Sequence, residues 1–165
     1  MLVIISDVHD NLANLDKVIA WANSNQAEAI LECGDLTNSD TLHHLAQAWT
    51  KPLYVLQGNI DFYDISELKK YPQIINLGRA GGVFNYGNKK IGACHEPNLL
   101  AGLLSHKPEI VFYGHTHQPW EEIKHGIHFV NPGNVSNTRH APTFATYSPA
   151  ENKLELVLIN DLPNI

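Results

Sequence analysis

Leu2-Val3-Ile4-Ile5-Ser6-Asp7-Val8-His9-Asp10-Asn11 opens the chain with an apolar run that ends in a carboxylate and an imidazole. A short run of this kind reads as a strand buried on both faces, and polar residues at its carboxyl end mark a place where a site can form. Asp7 and His9 are two apart, so an extended backbone continuing past Ser6 would put both side chains on one side. Alone, Asp-x-His carries little. Its weight comes from repetition, because four later apolar runs also end in Asp, Asn or His.

Those runs are Ala29-Ile30-Leu31-Glu32-Cys33 before Gly34-Asp35, Leu53-Tyr54-Val55-Leu56-Gln57 before Gly58-Asn59-Ile60-Asp61, residues 89–94 before His95, and Ile110-Val111-Phe112-Tyr113 before Gly114-His115-Thr116-His117. Between the first three, Leu12, Leu15, Val18, Ile19 and Ala22 recur at helical spacing behind a possible cap at Asn11. Leu42, Leu45, Ala46 and Trp49 do the same behind the capping residues 38–40. This β-α-β-α-β order predicts a largely parallel sheet with right-handed crossovers. Ligands bind outside the carboxyl ends of such strands, which is where Asp7, Asp35 and Asn59 fall.

Further along, a short helix is expected within 62–71, a strand at 74–77, a hairpin of 82–86 with 89–94 across Gly87-Asn88, and a helix over 98–105. From Trp120 onward the pattern is antiparallel: 120–123 with 127–130, then 143–147 with 154–159, and a frayed tail from Asp161. No repeat or linker divides the chain, so residues 1–165 are expected to form one domain.

With 165 residues, 44% hydrophobic and 17% charged, the composition is that of a globular protein with a sizeable core. The formal charge of −6 offers no basic footprint, so nucleic acid is not expected as a partner. Cys33 and Cys94 lie far apart with no Cys-x-x-Cys, which points to buried free thiols in a reducing compartment. The first apolar run is too short for a signal peptide or a membrane span, and a cytoplasmic location is expected. Oligomeric state is open, a homo-oligomer included.

Collected, the polar residues that end the strands are Asp7, His9, Asp35, Asn59, His95, His115 and His117. Carboxylate, amide oxygen and imidazole together suit two borderline divalent ions better than calcium, which favours all-oxygen ligands, or structural zinc, which favours thiolates. His115 and His117 repeat the spacing of Asp7 and His9. Gly34, Gly58 and Gly114 fit strand ends where backbone must approach a ligand closely.

Asp7-x-His9, Gly34-Asp35, Gly58-Asn59-x-Asp61, His95 and Gly114-His115-x-His117 resemble, in order, the motif series of the calcineurin-like metallophosphoesterases. The small size is similar to the compact bacterial and archaeal phosphodiesterase branch, and Asn131-Pro132-Gly133 matches a further family element. The resemblance implies an α/β fold, a four-layer α/β/β/α sandwich of two mixed β-sheets flanked by helices. It implies one ion on Asp7, His9, Asp35 and His117 and another on Asp35, Asn59, His95 and His115, with Asp35 as the bridge. Manganese is the first expectation, with nickel, iron or zinc accepting the same ligands. The implied reaction is hydrolysis of a small phosphate ester, a diester above all, by in-line attack of a hydroxide held between the metals. Asp35, Asn59, His95 and Asp61 form the implied catalytic group, Asp61 by hydrogen bonds that orient its neighbours. Asn11, besides capping, and Arg139 are candidates for contact with substrate phosphate.

Departures from the family pattern are Ile60, where many relatives carry a histidine able to protonate the leaving group, Glu96-Pro97 after His95, and Asn134 in place of serine. Gly34-Asp35-Leu36-Thr37-Asn38 lacks the arginine that phosphoprotein phosphatases of the superfamily carry, which argues against a phosphoprotein substrate. The alternative is a catalytically weak, metal-binding scaffold for protein assembly, like the retromer subunit of the same family. The complete ligand set favours the enzyme. His43 and His44 are expected on a solvated helix face, and His106, His125 and His128 on the surface or in turns.

Overall fold

The computed structural model describes residues 1–163, and its layers follow from the alternation of side chains along the first strands. In β1 (Leu2–Ile5), β2 (Ala29–Glu32) and β3 (Leu53–Leu56), alternate residues point to opposite faces, and both faces are covered. Val3, Ile5, Ile30, Leu53 and Val55 pack against Leu15, Val18, Ile19 and Ala22 of α1 (Leu12–Ser24) and Leu42 and Leu45 of α2 (Ser39–Ala48). Leu2, Ile4, Leu31 and Leu56 point the other way, onto Ile91, Ala93, Ile110, Phe112 and Val130 of a second sheet. Each such side chain taken fully out of water contributes about 1.5–3 kcal/mol, and this double burial is why the runs lack polar alternation.

The remaining strands are β4 (Ile74–Gly78), β5 (Gly82–Tyr86), β6 (Lys89–Ala93), β7 (Ile110–Phe112), β8 (Trp120–Lys124), β9 (Ile127–Asn131), β10 (Thr143–Ser148) and β11 (Lys153–Leu158). One sheet has the order β11-β10-β1-β2-β3-β4, and the other β5-β6-β7-β9-β8. The first is parallel from β1 to β4 and antiparallel through β10 and β11, and the second also mixes the two. The outer face of the second sheet carries Val111, Tyr113 and Phe129 against Leu103 of the short helix α3 (Leu100–Leu104). The architecture is thus the four-layer α/β/β/α sandwich of two mixed sheets.

Three local expectations change. The segment 62–71 holds a 3-10 turn, Ile65–Lys70, and the helix expected over 98–105 shortens to α3 behind a 3-10 turn begun by Pro97. The tail does not fray at Asp161: Ile159–Asp161 form a 3-10 turn and Ile159 is buried, while residues 164–165 of the expected frayed tail lie outside the described residues. His43 and His44 are not merely solvated. His43 meets Glu67 at 2.8 Å and Tyr71 at 2.9 Å, and His44 meets Asp16 at 2.6 Å, tying α2 to its neighbours.

Register places the site. Ile5 pairs with Glu32, Glu32 with Val55, and Ala93 with Phe112, so the carboxyl ends of β1, β2, β3, β6 and β7 reach one edge of the sandwich together. The loops that follow are zipped by backbone bonds beyond the strands: Asp7 N to Gly34 O at 3.0 Å, His9 N to Asp35 O at 3.0 Å, and Gly114 N to His95 O at 3.0 Å.

Candidate metal centre

Asp7, His9, Asp35, His115 and His117 have φ of 54°, 45°, 65°, 70° and 60°, all left-handed. The extended backbone expected past Ser6 is therefore corrected: β1 ends at Ile5, and Asp7 and His9 converge by turning rather than by strand alternation. Asp is among the few residues besides Gly that tolerate this region, at about 1–2 kcal/mol each. Such strain persists only where the surroundings enforce it, and the zipped loops do so here.

Two groups of donors result. Asp7, His9 and His117 present ligand atoms within 4.8 Å of one another, and so do Asp7, Asp35 and His95. Asp7 Oδ1 lies 3.3 Å from His117 Nε2 and 3.8 Å from His9 Nε2, and the two imidazole nitrogens are 3.1 Å apart. In the second group, His95 Nε2 is 3.2 Å from Asp35 Oδ2 and 2.9 Å from Asn59 Oδ1, which His115 Nδ1 also approaches at 2.9 Å. All seven strand-end residues meet at this edge. Asp7 is common to both donor groups, and Asp35, the expected bridge, belongs to the second.

The donors are held in place from behind. Asp7 Oδ2 accepts from Ser6 Oγ at 2.7 Å and from the His115 amide at 3.0 Å, which aims Oδ1 at the histidines. His95 Nδ1 donates to Cys33 O at 2.8 Å, so its Nε2 faces Asp35 and Asn59 as a bare lone pair. His117 Nδ1 is paired with Thr138 Oγ1 at 2.7 Å. Asn131 donates to Gly114 O at 2.9 Å and Asn134 to His117 O at 3.1 Å, so the Asn131-Pro132-Gly133-Asn134 segment braces the His115–His117 turn.

The electrostatics match. Burial pushes the Asp35 carboxyl up, but His95 beside it and the Ile60 amide more than offset this and hold it below its ordinary value. Burial likewise pulls His95 down, and Asp35 and Asp7 outweigh it and raise it. The nearby Asp7 carboxylate raises His9, while burial lowers His117.

A divalent cation fits this arrangement. Among the described residues, Asp7 Oδ1 is a buried polar atom with no hydrogen-bond partner. Buried polar atoms are paired in nearly all folded proteins, and an unpaired one beside two imidazole lone pairs marks a place for positive charge. The His9 and His117 Nε2 atoms, 3.1 Å apart, can share a proton with each other or, both deprotonated, turn their lone pairs to one cation.

An open cavity of about 520 Å³ lies over the donors, lined by His9, Asp35, Asn59, Ile60, His115, His117, Thr138 and Arg139. Arg139 thus stands on the cavity wall. Asn11 is not among its lining residues: its Oδ1 caps α1 through the Asn14 amide at 3.1 Å and its amide donates to Ser136 O at 3.1 Å. Asp61 is also turned inward, accepting from the amides of Asp35 at 3.0 Å, Thr37 at 2.7 Å and Gly58 at 2.7 Å. It fixes the two loops rather than facing the cavity. Ser6, Glu32 and Thr138 were not singled out by sequence; for Ser6 alone a signal existed, its place between the apolar run and Asp7.

Comparison with known proteins finds matches over most of the chain. The family model for the calcineurin-like phosphoesterase superfamily domain matches residues 1–152. Phosphodiesterase MJ0936 of Methanocaldococcus jannaschii is 26% identical over 141 residues, covering 79% of this chain and 81% of its own. The structure of a novel archaeal phosphodiesterase superposes with a TM-score of 0.83 at 22% identity, over 95% of this chain and 98% of the other. The zinc complex of Vps29 from Entamoeba histolytica reaches a TM-score of 0.64 at 20% identity, over 96% and 99%. With the family model spanning all the strand-end motifs that build this edge, the chain belongs to the calcineurin-like phosphoesterase superfamily.

Proposed function

We propose that the chain is a dinuclear, metal-dependent phosphodiesterase acting on small phosphate esters. The observation that carries this is the unpaired, buried Asp7 Oδ1 facing the nitrogens of His9 and His117, next to a second donor group around Asp35 and His95. One ion would be held by Asp7, His9, Asp35 and His117 and the other by Asp35, Asn59, His95 and His115, manganese being the first choice among manganese, iron, nickel and zinc. When bound, the pair supplies neutralising charge for phosphoryl oxygens and a water nucleophile active at neutral pH.

The protein's own residues do the rest. Ser6, the His115 amide, Cys33 O and Thr138 fix the donor atoms before substrate arrives, so little reorganisation accompanies reaction. Arg139, on the cavity wall, is shaped to take two phosphate oxygens at once and orient the ester. Ile60, on the same wall, has no proton to give to a departing oxygen. Good leaving groups should therefore react faster than alkoxides.

The named relative is a phosphodiesterase, which supports a diester over a monoester. The formal charge of −6 speaks for a small substrate rather than nucleic acid, and among the described residues no helix is long and apolar enough to cross a membrane. A cytoplasmic site of action is part of the proposal.

The test loads metal-free protein with each divalent ion and assays aryl and alkyl phosphate mono- and diesters. Manganese-dependent diester hydrolysis that falls steeply as leaving-group pKa rises is expected, with a shallower dependence in Ile60→His. Metal binding without turnover of any ester would refute the enzyme reading and leave the scaffold role.

A further inference from the structure

Behind the centre lies a group that the chemistry above does not use. Glu32, the last residue of β2, is fully buried; its Oε1 accepts the Gly34 amide at 2.6 Å, and its Oε2 has no hydrogen-bond partner among the described residues. Such a group would be better replaced by an apolar one unless it performs a task.

The task is visible in what the Cys33–Gly34 peptide holds. Its carbonyl accepts His95 Nδ1 at 2.8 Å, its N–H is the one bound by Glu32, and Gly34 O receives the Asp7 amide at 3.0 Å. Gly34 has φ +101°, and a Cβ there would lie 2.6 Å from His95 Nδ1, so the peptide is pressed against the imidazole with no slack. A peptide free to rotate about this point would swing its carbonyl away from His95 and misdirect Nε2.

We infer that Glu32 is a positioning residue for the metal centre, fixing His95, Asp7 and Asp35 at once through its hydrogen bond to the Gly34 amide. This rests on the dinuclear reading above. Glutamine, which keeps a carbonyl oxygen of the same reach for the Gly34 amide, should replace it, the more so as burial pushes the Glu32 carboxyl above the ordinary carboxylate range.

Calorimetric titration of metal-free wild type, Glu32→Gln and Glu32→Leu with Mn²⁺, and visible spectra of the Co²⁺ forms, test this. Manganese affinity should fall about 10–100-fold in Glu32→Leu with an altered cobalt spectrum, and stay within about threefold in Glu32→Gln. Leucine binding like the wild type, or glutamine as impaired as leucine, overturns the inference. If Glu32→Leu does not fold, the wild type still decides: the Gly34 amide proton must resonate far downfield and shift together with the His95 Nδ1 proton in Glu32→Gln, and an ordinary Gly34 shift overturns it. A wild type that binds no Mn²⁺ refutes the metal reading itself, a different result from unaltered binding in Glu32→Leu.

Discussion

Replacing Gly114 by alanine should damage the protein through one identifiable contact. A Cβ at this position would overlap Ser6 Oγ and lie 2.9 Å from Asp7 Oδ2 and 3.0 Å from Ser6 Cβ. Ser6 Oγ donates to Asp7 Oδ2 at 2.7 Å in a buried setting, so the methyl must expel a hydroxyl that is already bonded to a carboxylate. Losing that charge-assisted bond costs about 1.5–3 kcal/mol, and overpacking adds about 1–3 kcal/mol. Gly114→Ala should therefore lose about 2.5–6 kcal/mol, a large share of the ~5–15 kcal/mol typical of a domain. Ser6→Ala alone forfeits only the bond, about 1.5–3 kcal/mol. The hydrogen bond can be lost only once and the hydroxyl is the main obstruction, so the double variant should be more stable than the sum of the singles by at least that amount. Urea unfolding of the four metal-free proteins, followed by circular dichroism, measures the coupling. Additivity within about 0.5 kcal/mol would refute the reasoning.

Two further predictions concern the groups beneath the site. Asp61→Ala removes the acceptor of three backbone amides, each worth about 1 kcal/mol net, so it should cost about 3 kcal/mol, with Asp61→Asn between it and wild type. A loss under about 1 kcal/mol in urea unfolding would contradict this role. Burial raises the Glu32 carboxyl, so between the ordinary glutamate value, about 4.3, and its own higher one the native state holds a proton that the unfolded chain releases. Stability of the metal-free protein should then fall with rising pH by up to about 1.4 kcal/mol per pH unit more than in Glu32→Gln. Parallel pH profiles for the two proteins would exclude it.

Both long helices were legible because apolar residues recur at helical spacing, and most of the strands because they are short apolar runs. Leu15, Val18, Ile19 and Ala22 are buried where helical spacing puts them, and Asn11 caps as expected. The donor residues were legible because each follows an apolar run directly. Their convergence was only half legible. Strand ends can be brought to one edge by topology, but the left-handed turns at Asp7, His9, His115 and His117 leave no periodic mark, since the aspartate and histidines placed there are also the residues wanted for chemistry. The short helices were overcalled because Phe62 and the leucines near 100 form apolar clusters too brief to sustain a regular turn pattern; Phe62 itself is 80% exposed. Ser6 and Glu32 bond near neighbours, Asp7 Oδ2 and the Gly34 amide, and Thr138 bonds His117 from far along the chain; none of these hydrogen bonds leaves a periodic pattern. Asp61 and Asn11 show the converse: polar residues in a motif whose side chains serve the backbone.

The central claim is that seven side chains from separate loops hold a pair of cations at one edge of the sandwich. The most direct measurement is anomalous diffraction above the manganese edge from crystals soaked in Mn²⁺, with occupancy refined. Two adjacent peaks, one among Asp7, His9, Asp35 and His117 and one among Asp35, Asn59, His95 and His115, are predicted. A single peak, or none, at saturating Mn²⁺ would contradict the account.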